Sequence, residues 1–432
     1  MKRRKLAGAV VAASLAALLA ACGQSAAPAN SSATGELTLA GWSLKATPEF
    51  QTLADAFNAT SPKFKVVVKE YDATNYDTQM IADLAAGTAP DLYPIKNQRS
   101  FYTYASGNQL ADVSDIAAKL GKSPAIDSNS MDGKTYAIPY RQDAMILYYN
   151  KDLFAKAGVP TPDGTWTWDT YAEVAKELST KLTAAGVTAK GTYQHGWQSL
   201  VQGFATAQTP DAAILSGKYE YMLPYYQRAL AMQESGAMEN YGTITTNKLT
   251  YQAQFGTQKA AMMPMGTWYA GMLTTQQASG AAEKFEWGIA PVPQRDASTA
   301  GRDKTPVTFG DATALGINAA VKGDKLEAAK AFATFVASEE AGKALTNIGI
   351  TPFALTDANV TNFFAAKGMP TDELSKWAYR TRDTRPDNPV SKDTAAVQNL
   401  LLDMHTSVMS KSQPLDAAIP AAEKKASEVL GK

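Results

Sequence analysis

Hydrophobic and polar positions change period several times along the first hundred residues, and each change predicts a new element. Alternation over Glu36–Ala40 and Phe64–Lys69 is typical of strands with one buried face. Between them, Thr47–Pro48 is a favoured helix start and apolar residues follow at helical spacing. A second helical pattern ends at Gly87, and Asp91–Tyr93 predicts a third short strand. Strand–helix–strand–helix–strand predicts a parallel sheet covered by helices.

The middle and the end of the chain continue as α/β with more helix. Ala144–Tyr149 is apolar without alternation, which indicates a strand buried on both faces. From the predicted N-cap Thr167 to about Ala282 the pattern is mostly helical, and strand patterns return at Glu286–Pro291 and Val307–Ile317. The length exceeds one compact core and indicates two domains.

The N-terminus resembles a lipoprotein signal. Lys2–Lys5 is basic, and the apolar run up to Ala21 is shorter than the roughly 20 residues that a permanent membrane helix needs. The run ends in Leu-Ala-Ala-Cys, which looks like a bacterial lipobox, and Cys22 is the only cysteine. We therefore expect a signal peptide over 1–21, a lipid-bearing Cys22 that anchors the chain at the extracellular side of the cell membrane, and a flexible tether over 22–35. The alternative is an ordinary secreted protein.

Charge and motifs exclude several functions. Without the four basic residues of the signal, 37 basic residues face 41 acidic ones, so nothing recruits nucleic acid, and membrane contact is expected through the lipid alone. Nucleophile-elbow and phosphate-loop motifs are absent, and two histidines make a metal site improbable, so we expect neither cofactor nor metal. A glycosidase that uses a pair of carboxylates remains an alternative function. A two-domain α/β chain without catalytic motifs nevertheless favours a binding protein.

A long ordered set of motifs resembles the extracellular solute-binding proteins (family 1) of bacterial ABC importers, the group that includes maltose-binding protein. The set runs from about Leu37 to the C-terminus and comprises Ala85–Leu92, Gly133–Pro139, Leu147–Phe154, Thr167–Asp169, Phe255–Gly256, Lys259–Met263, Gly266 with Trp268, Trp287–Pro293 and Phe335–Glu340.

The resemblance implies an α/β fold of two lobes, of the class II periplasmic-binding-protein type, in which each lobe has a mostly parallel sheet flanked by helices. It places residues 36–142 and 306–352 in the first lobe and residues 143–305 and 353–432 in the second, with a hinge between them. It further implies a monomer that closes on a ligand in the cleft and delivers it to the permease subunits of an ABC transporter.

Two residues are the first candidates for ligand contact. Trp268 follows Gly266-Thr267, where similar proteins have a cleft tryptophan, and a flat aromatic face can cover a pyranose ring. Asp143 precedes the buried strand, where maltose-binding protein has a sugar-binding acid. The alternatives are a core tryptophan and a helix or hinge cap.

The other candidates follow strands or lie in polar loops. They are Trp42 and Ser43 after the first strand, Asn97 and Gln98 after the third, Trp197 in a Gly/Gln-rich loop, and Asp311 at the predicted return across the hinge. Trp42 could instead pack between the lobes, and Trp168, Tyr148 and Tyr149 are expected to be structural.

The ligand class follows from these side chains. Aromatic and amide groups suit a neutral carbohydrate, such as a malto-oligosaccharide or another α-glucoside. A glycerophosphodiester would need several cationic donors, a polyamine several carboxylates, and a peptide is also possible on this fold. Asp143 and Asp311 keep a cationic ligand open.

Overall fold

The computed structural model describes residues 35–45 and 48–432. Predicted features outside these ranges include the signal peptide, Cys22 and the N-cap Thr47. The strands are β1 Gly35–Trp42, β2 Phe64–Tyr71, β3 Leu92–Ile95, β4 Ser130–Met131, β5 Lys134–Thr135, β6 Ala137–Gln142, β7 Met145–Asn150, β8 Lys190–Thr192, β9 Ala260–Gly266, β10 Trp287–Ala290, β11 Val307–Phe309, β12 Ala312–Ile317 and β13 Asp383–Arg385.

Helices carry most of the remaining chain. They are α1 Glu49–Ala59, α2 Tyr76–Ala86, α3 Phe101–Ser106, α4 Ser114–Leu120, α5 Pro124–Asp127, α6 Lys151–Ala157, α7 Trp168–Ala184, α8 Ser199–Gln208, α9 Leu223–Glu234, α10 Tyr241–Thr246, α11 Tyr251–Gly256, α12 Tyr269–Ser279, α13 Gly323–Val336, α14 Glu339–Thr346, α15 Asp357–Ala365, α16 Glu373–Arg380, α17 Thr394–Met409 and α18 Leu415–Leu430. Short 3-10 turns lie at Gln98–Ser100, Ile214–Ser216 and Glu220–Met222.

The first lobe is built on a five-stranded sheet in the order β2-β1-β3-β12-β6. β1 pairs in parallel with β2 and β3, as the alternating strand and helix patterns predict. β12 enters between β3 and β6 and is antiparallel to both, because the chain returns to this sheet from the second lobe. The sheet is therefore mixed rather than mostly parallel.

The second lobe is built on a four-stranded sheet in the order β10-β7-β9-β8. Every residue of β7 is buried, which confirms the interpretation of the unbroken apolar run. β7 is antiparallel to β10 and β9, and β8 is parallel to β9. Trp168 is 3% exposed in the core of this lobe, and its Nε1 donates to Gln208 Oε1 at 2.8 Å, so its structural role is confirmed.

Three chain segments pass between the lobes side by side, and we call them the crossover strip: 142–144, 310–311 and 351–352. Gln142 N donates to Thr351 O at 3.3 Å. A Cβ at Gly310 would overlap the backbone of Asp143, so two of the segments touch at a position that only glycine allows.

The predicted boundary at which the chain returns to the first lobe lies a few residues before the observed one. Residue 306 was expected to open the second part of the first lobe. Instead β11 pairs in parallel with β13, and the Phe309 ring packs on Phe204 of the second lobe, 4.8 Å between centroids. The chain joins the first sheet only at Ala312, after the crossover.

Candidate functional site

A cleft of about 580 Å³ lies between the lobes against the crossover strip. Its lining combines both lobes and the strip, with Trp42, Ser43, Lys96, Asn97 and Arg141 from the first lobe, Trp197, Tyr251 and Trp268 from the second, and Asp143, Gly310 and Asp311 from the strip. Ligand-binding clefts commonly have about 300–1,000 Å³, so this space suits a small organic ligand.

The second lobe supplies an aromatic wall. Trp197 lies in the loop between β8 and α8 and is 38% exposed, which is unusual for so large an apolar side chain. Its ring is 6.4 Å from that of Trp268 and 5.8 Å from that of Tyr251. The three rings leave aromatic surface open to the cleft, where it can cover an apolar face of a ligand.

Local packing fixes the orientation of Trp197. The His195 ring stands perpendicular to it at 4.6 Å. Tyr193 OH donates its one proton to Leu249 O at 3.0 Å. His195 Nδ1 lies 2.8 Å from the same hydroxyl. Since that hydroxyl has no second proton to donate, Nδ1 is the protonated nitrogen of the ring and donates to the hydroxyl oxygen. Burial lowers the pKa of His195 to about 4, so the ring supports Trp197 in its neutral form.

Trp268 occupies the turn between β9 and α12 and is partly buried. Its ring lies over Gly266, where a Cβ would overlap the indole. The small residue two positions earlier in the Gly266-Thr267-Trp268 sequence therefore gives the indole its place at the cleft. The same ring also packs on the core of the second lobe, so it has a structural share as well.

Trp42 reaches the cleft from the first lobe but is only 8% exposed. Phe50 and Tyr76 pack edge-on against it at 4.6 and 4.9 Å. Lys96 Nζ lies 5.2 Å from its ring centroid. Its faces are thus largely covered, and it presents little stacking surface to a ligand.

Asp143 belongs to a buried charge network across the lobe boundary. Its Oδ2 lies 2.7 Å from Arg141 Nε, and its Oδ1 accepts from Thr267 Oγ1 at 3.0 Å. Arg141 also pairs with Glu49 at the start of α1, and Tyr140 OH donates to the same carboxylate at 2.9 Å. Both oxygens of Asp143 are engaged, so it offers a ligand only its remaining lone pairs.

Burial dominates the electrostatics of this network. It raises the pKa of Asp143 above its ordinary value, against the lowering effect of the Arg141 guanidinium. Burial likewise raises the pKa of Glu49, again opposed by Arg141. The Arg141 guanidinium thus pairs with both buried carboxylates, while Arg382 acts on Asp143 as well. Arg141 holds the end of β6 to α1 and to Asp143.

A second acidic group lies where the crossover strip meets the loop after β13. Asp311 Oδ1 accepts from Asp387 N at 2.9 Å, and Asp311 Oδ2 accepts from Asn388 Nδ2 at 2.7 Å. The Asp387 side chain also lines the cleft. Burial raises the pKa of both carboxyl groups, and for Asp387 the neighbouring Asp311 raises it further.

The residues after β1 and β3 divide between cleft and interior. Ser43 lines the cleft with a left-handed backbone (φ 52°), and Asn97 lines it while its Oδ1 accepts from Arg99 N. Gln98 does not reach the cleft. Its side chain is buried and its Nε2 donates to the carbonyl oxygen of Ser128, because the chain turns inward into a 3-10 helix at this point.

A family model for bacterial extracellular solute-binding proteins matches residues 41–343. The chain belongs to this family. The matched range includes the second sheet, the first sheet apart from the start of β1, and every cleft residue described above except those of the loop after β13.

Curated relatives of this solute-binding protein match over shorter stretches. The sn-glycerol-3-phosphate-binding periplasmic protein of Shigella flexneri is 31% identical over 167 residues, which are 36% of this chain and 36% of that protein. A putative binding protein of Brucella abortus is 30% identical over 160 residues, 34% of this chain and 37% of that protein. The chain therefore matches about a third of the length of these curated relatives.

Solved structures match over nearly the whole length. A sugar transporter from Rhizobium etli in an open conformation has a TM-score of 0.77 and 27% identity, covering 92% of this chain and 99% of that one. An ABC substrate-binding protein from Listeria monocytogenes, solved in complex with cycloalternan, has a TM-score of 0.74 and 22% identity, with 92% and 99% covered. The expected two-lobe fold is confirmed.

Several cleft residues of this solute-binding protein escaped sequence reasoning. Tyr251 follows the N-cap Thr250 at the start of a short helix, and no local motif separates it from the other tyrosines. Arg141 lies two residues before Asp143 at the end of β6, a position that could have suggested an ion pair. Asp387 meets Asp311 across 76 positions of sequence, which one sequence cannot reveal.

Two structural features are absent from the residues that the structure describes. Within 35–45 and 48–432, no helix is long and apolar enough to cross a membrane. The same part of the chain contains no cluster of three or more histidine, cysteine or acidic side chains that could hold a metal ion.

Proposed function

We propose that this protein captures a carbohydrate in the cleft between its lobes and delivers it to the permease of an ABC importer. The observation that carries the proposal is the exposed Trp197, which faces the cleft beside Trp268 while carboxylates line the crossover side. Sugars combine apolar C–H faces with hydroxyl groups, so a site for them needs flat aromatic surface and polar acceptors in one concave space.

The charges of the cleft argue against a phosphorylated ligand. Lys96 donates to the Ala73 carbonyl and lies over Trp42, and Arg141 is paired with Glu49 and Asp143. A phosphate needs free cationic or backbone donors, and these two cations already have partners. The glycerol-3-phosphate specificity named for the relative in Shigella flexneri is therefore the weaker candidate for this chain.

Closure around the crossover strip is part of the proposal. The three segments pack side by side, so a rotation about them brings the aromatic wall toward Ser43 and Asn97 of the first lobe. We expect a monomer to present the closed form to the permease, while a lipid on Cys22 keeps it at the extracellular side of the cell membrane. The sugar is an oligosaccharide, of which malto-oligosaccharides and other α-glucosides are our first choice.

A thermal-shift screen of mono- and oligosaccharides, with glycerol 3-phosphate, a tripeptide and spermidine as non-sugar probes, tests this function. A ligand at about one hundred times its Kd stabilises the folded state by about 2.7 kcal/mol, which raises the melting temperature measurably. Stabilisation by a sugar that mass spectrometry recovers unchanged supports binding without catalysis. Stabilisation by a non-sugar probe alone would overturn the proposal, and a hydrolysed sugar would point to an enzyme.

A further inference from the structure

The three carboxylates that line the cleft differ in how their charge is compensated. Asp143 has the guanidinium of Arg141 at 2.7 Å. Asp311 has no cation partner among the described residues, but backbone and side-chain donors of the loop after β13 hold both its oxygens. Asp387 has neither, because within residues 35–45 and 48–432 no ion pair or hydrogen bond reaches its carboxylate. Arg99 acts on it only at longer range.

Asp387 is also fixed in place. Its backbone N–H donates to Asp311, and the following Asn388 is held through Gln398 Nε2, which donates to Asn388 Oδ1 at 2.9 Å. Gln198 in turn donates to Gln398, which ties the loop after β13 to the start of α8. The free carboxylate of Asp387 therefore lines the cleft on a rigid support rather than on a mobile loop.

The surroundings of this carboxylate suit a cation. It is partly buried and lies beside a second carboxylate. A positively charged ligand group would therefore replace the hydration that burial removes and would offset the repulsion between the two acids. The rings of Trp197, Trp268 and Tyr251 line the same cleft, and the faces of aromatic rings also attract cations.

We infer that the ligand is a carbohydrate that carries a protonated amine, with the amine against Asp387 and Asp311 and the sugar ring against the aromatic wall. The inference rests on the proposed carbohydrate function and, within it, favours an amine-bearing sugar over the neutral α-glucosides named above. A neutral sugar hydroxyl can hydrogen-bond to Asp387, but it supplies no positive charge that would let both neighbouring acids ionise; without such a charge, burial and Asp311 raise the pKa of Asp387 to about 8.

Calorimetric titration at neutral pH with matched sugars tests this inference. Glucosamine and glucose differ by one substituent, as do galactosamine and galactose. The β-1,4-linked glucosamine dimer differs from cellobiose and from the N-acetylated dimer only in the substituent at position 2 of each ring. We expect at least one amine to bind about tenfold or more tightly than its neutral partners, because hydrogen bonds to charged groups are the stronger ones. A neutral sugar that binds as tightly as its amine would overturn the inference but leave the proposed function standing. Failure of every sugar, both in this titration and in the thermal-shift screen, would overturn both.

The variant Asp387→Asn locates the effect. It keeps the size of the side chain, so we expect the amine to lose roughly ten- to hundredfold in affinity and the neutral partner to change by less than about threefold. Asp383→Asn is the matched control, because Asp383 is exposed in β13 and does not line the cleft. Unliganded melting curves of both variants show that they fold. An amine preference that survives in Asp387→Asn would contradict the assignment.

Discussion

Replacing Trp197 tests the aromatic wall, because this side chain has a large exposed area in a concave place. With 38% exposure and a surface of about 250 Å², roughly 95 Å² are open to a ligand. At about 25 cal/mol per Å², covering that area contributes about 2.4 kcal/mol. We therefore expect Trp197→Ala to weaken sugar binding by about fiftyfold, and Trp197→Phe, which keeps a smaller flat ring, by clearly less.

Calorimetric titration of both variants gives the affinities, and unliganded melting curves show how much fold stability each change removes. Trp168→Ala is the control. Trp168 is 3% exposed and donates to Gln208, so its loss should lower the unfolding free energy by about 3–5 kcal/mol and leave the affinity of the folded protein within about threefold. Wild-type affinity in Trp197→Ala would refute the assignment of this wall to the ligand.

Three further predictions follow from burial and from the N-terminal sequence. Asp143→Asn takes from Arg141 one of its two buried partners and should lower the unfolding free energy by about 3 kcal/mol, while sugar affinity also falls; an unchanged denaturation midpoint would contradict the pairing. Burial lowers the pKa of His405 to about 3, so its contribution to stability is present above the ordinary histidine value of about 6.5 and is lost as pH falls toward 3. Between pH 6.5 and 5, urea denaturation should show wild type losing about 1.6 kcal/mol relative to His405→Leu, and parallel pH profiles would contradict this. Cys22→Ala should release the protein from the membrane with its sugar affinity intact, which cell fractionation checks; a variant that stays membrane-bound after a salt wash would contradict the lipobox.

Elements with strong local signals could be predicted from the sequence. The unbroken apolar run of β7 has no alternative to burial on both faces, and Thr167 caps α7 by accepting from Thr170 N, as the pattern indicated. The return of β12 between β3 and β6 could not be predicted in the same way, because antiparallel entry depends on where the chain crosses between the lobes.

Some residues of the candidate site could likewise be predicted from the sequence, and others depend on contacts that the sequence does not show. Trp268 could be placed through the resemblance, because similar proteins have a cleft tryptophan at the position after Gly266-Thr267. Asn97 and Gln98 look equivalent in sequence, yet a 3-10 turn directs one to the cleft and the other to the Ser128 carbonyl. Asp387 depends on a contact between two distant loops, and neither composition nor periodicity encodes it.

A crystal structure of the protein with a sugar found in the screen, compared with an unliganded crystal, tests the central claim most directly. The account predicts sugar density in the cleft, with a ring stacked on Trp197 or Trp268, polar groups at the crossover carboxylates, and the two lobes closer together than in the unliganded crystal. Sugar bound at any other surface, with the aromatic wall uncovered, would contradict it.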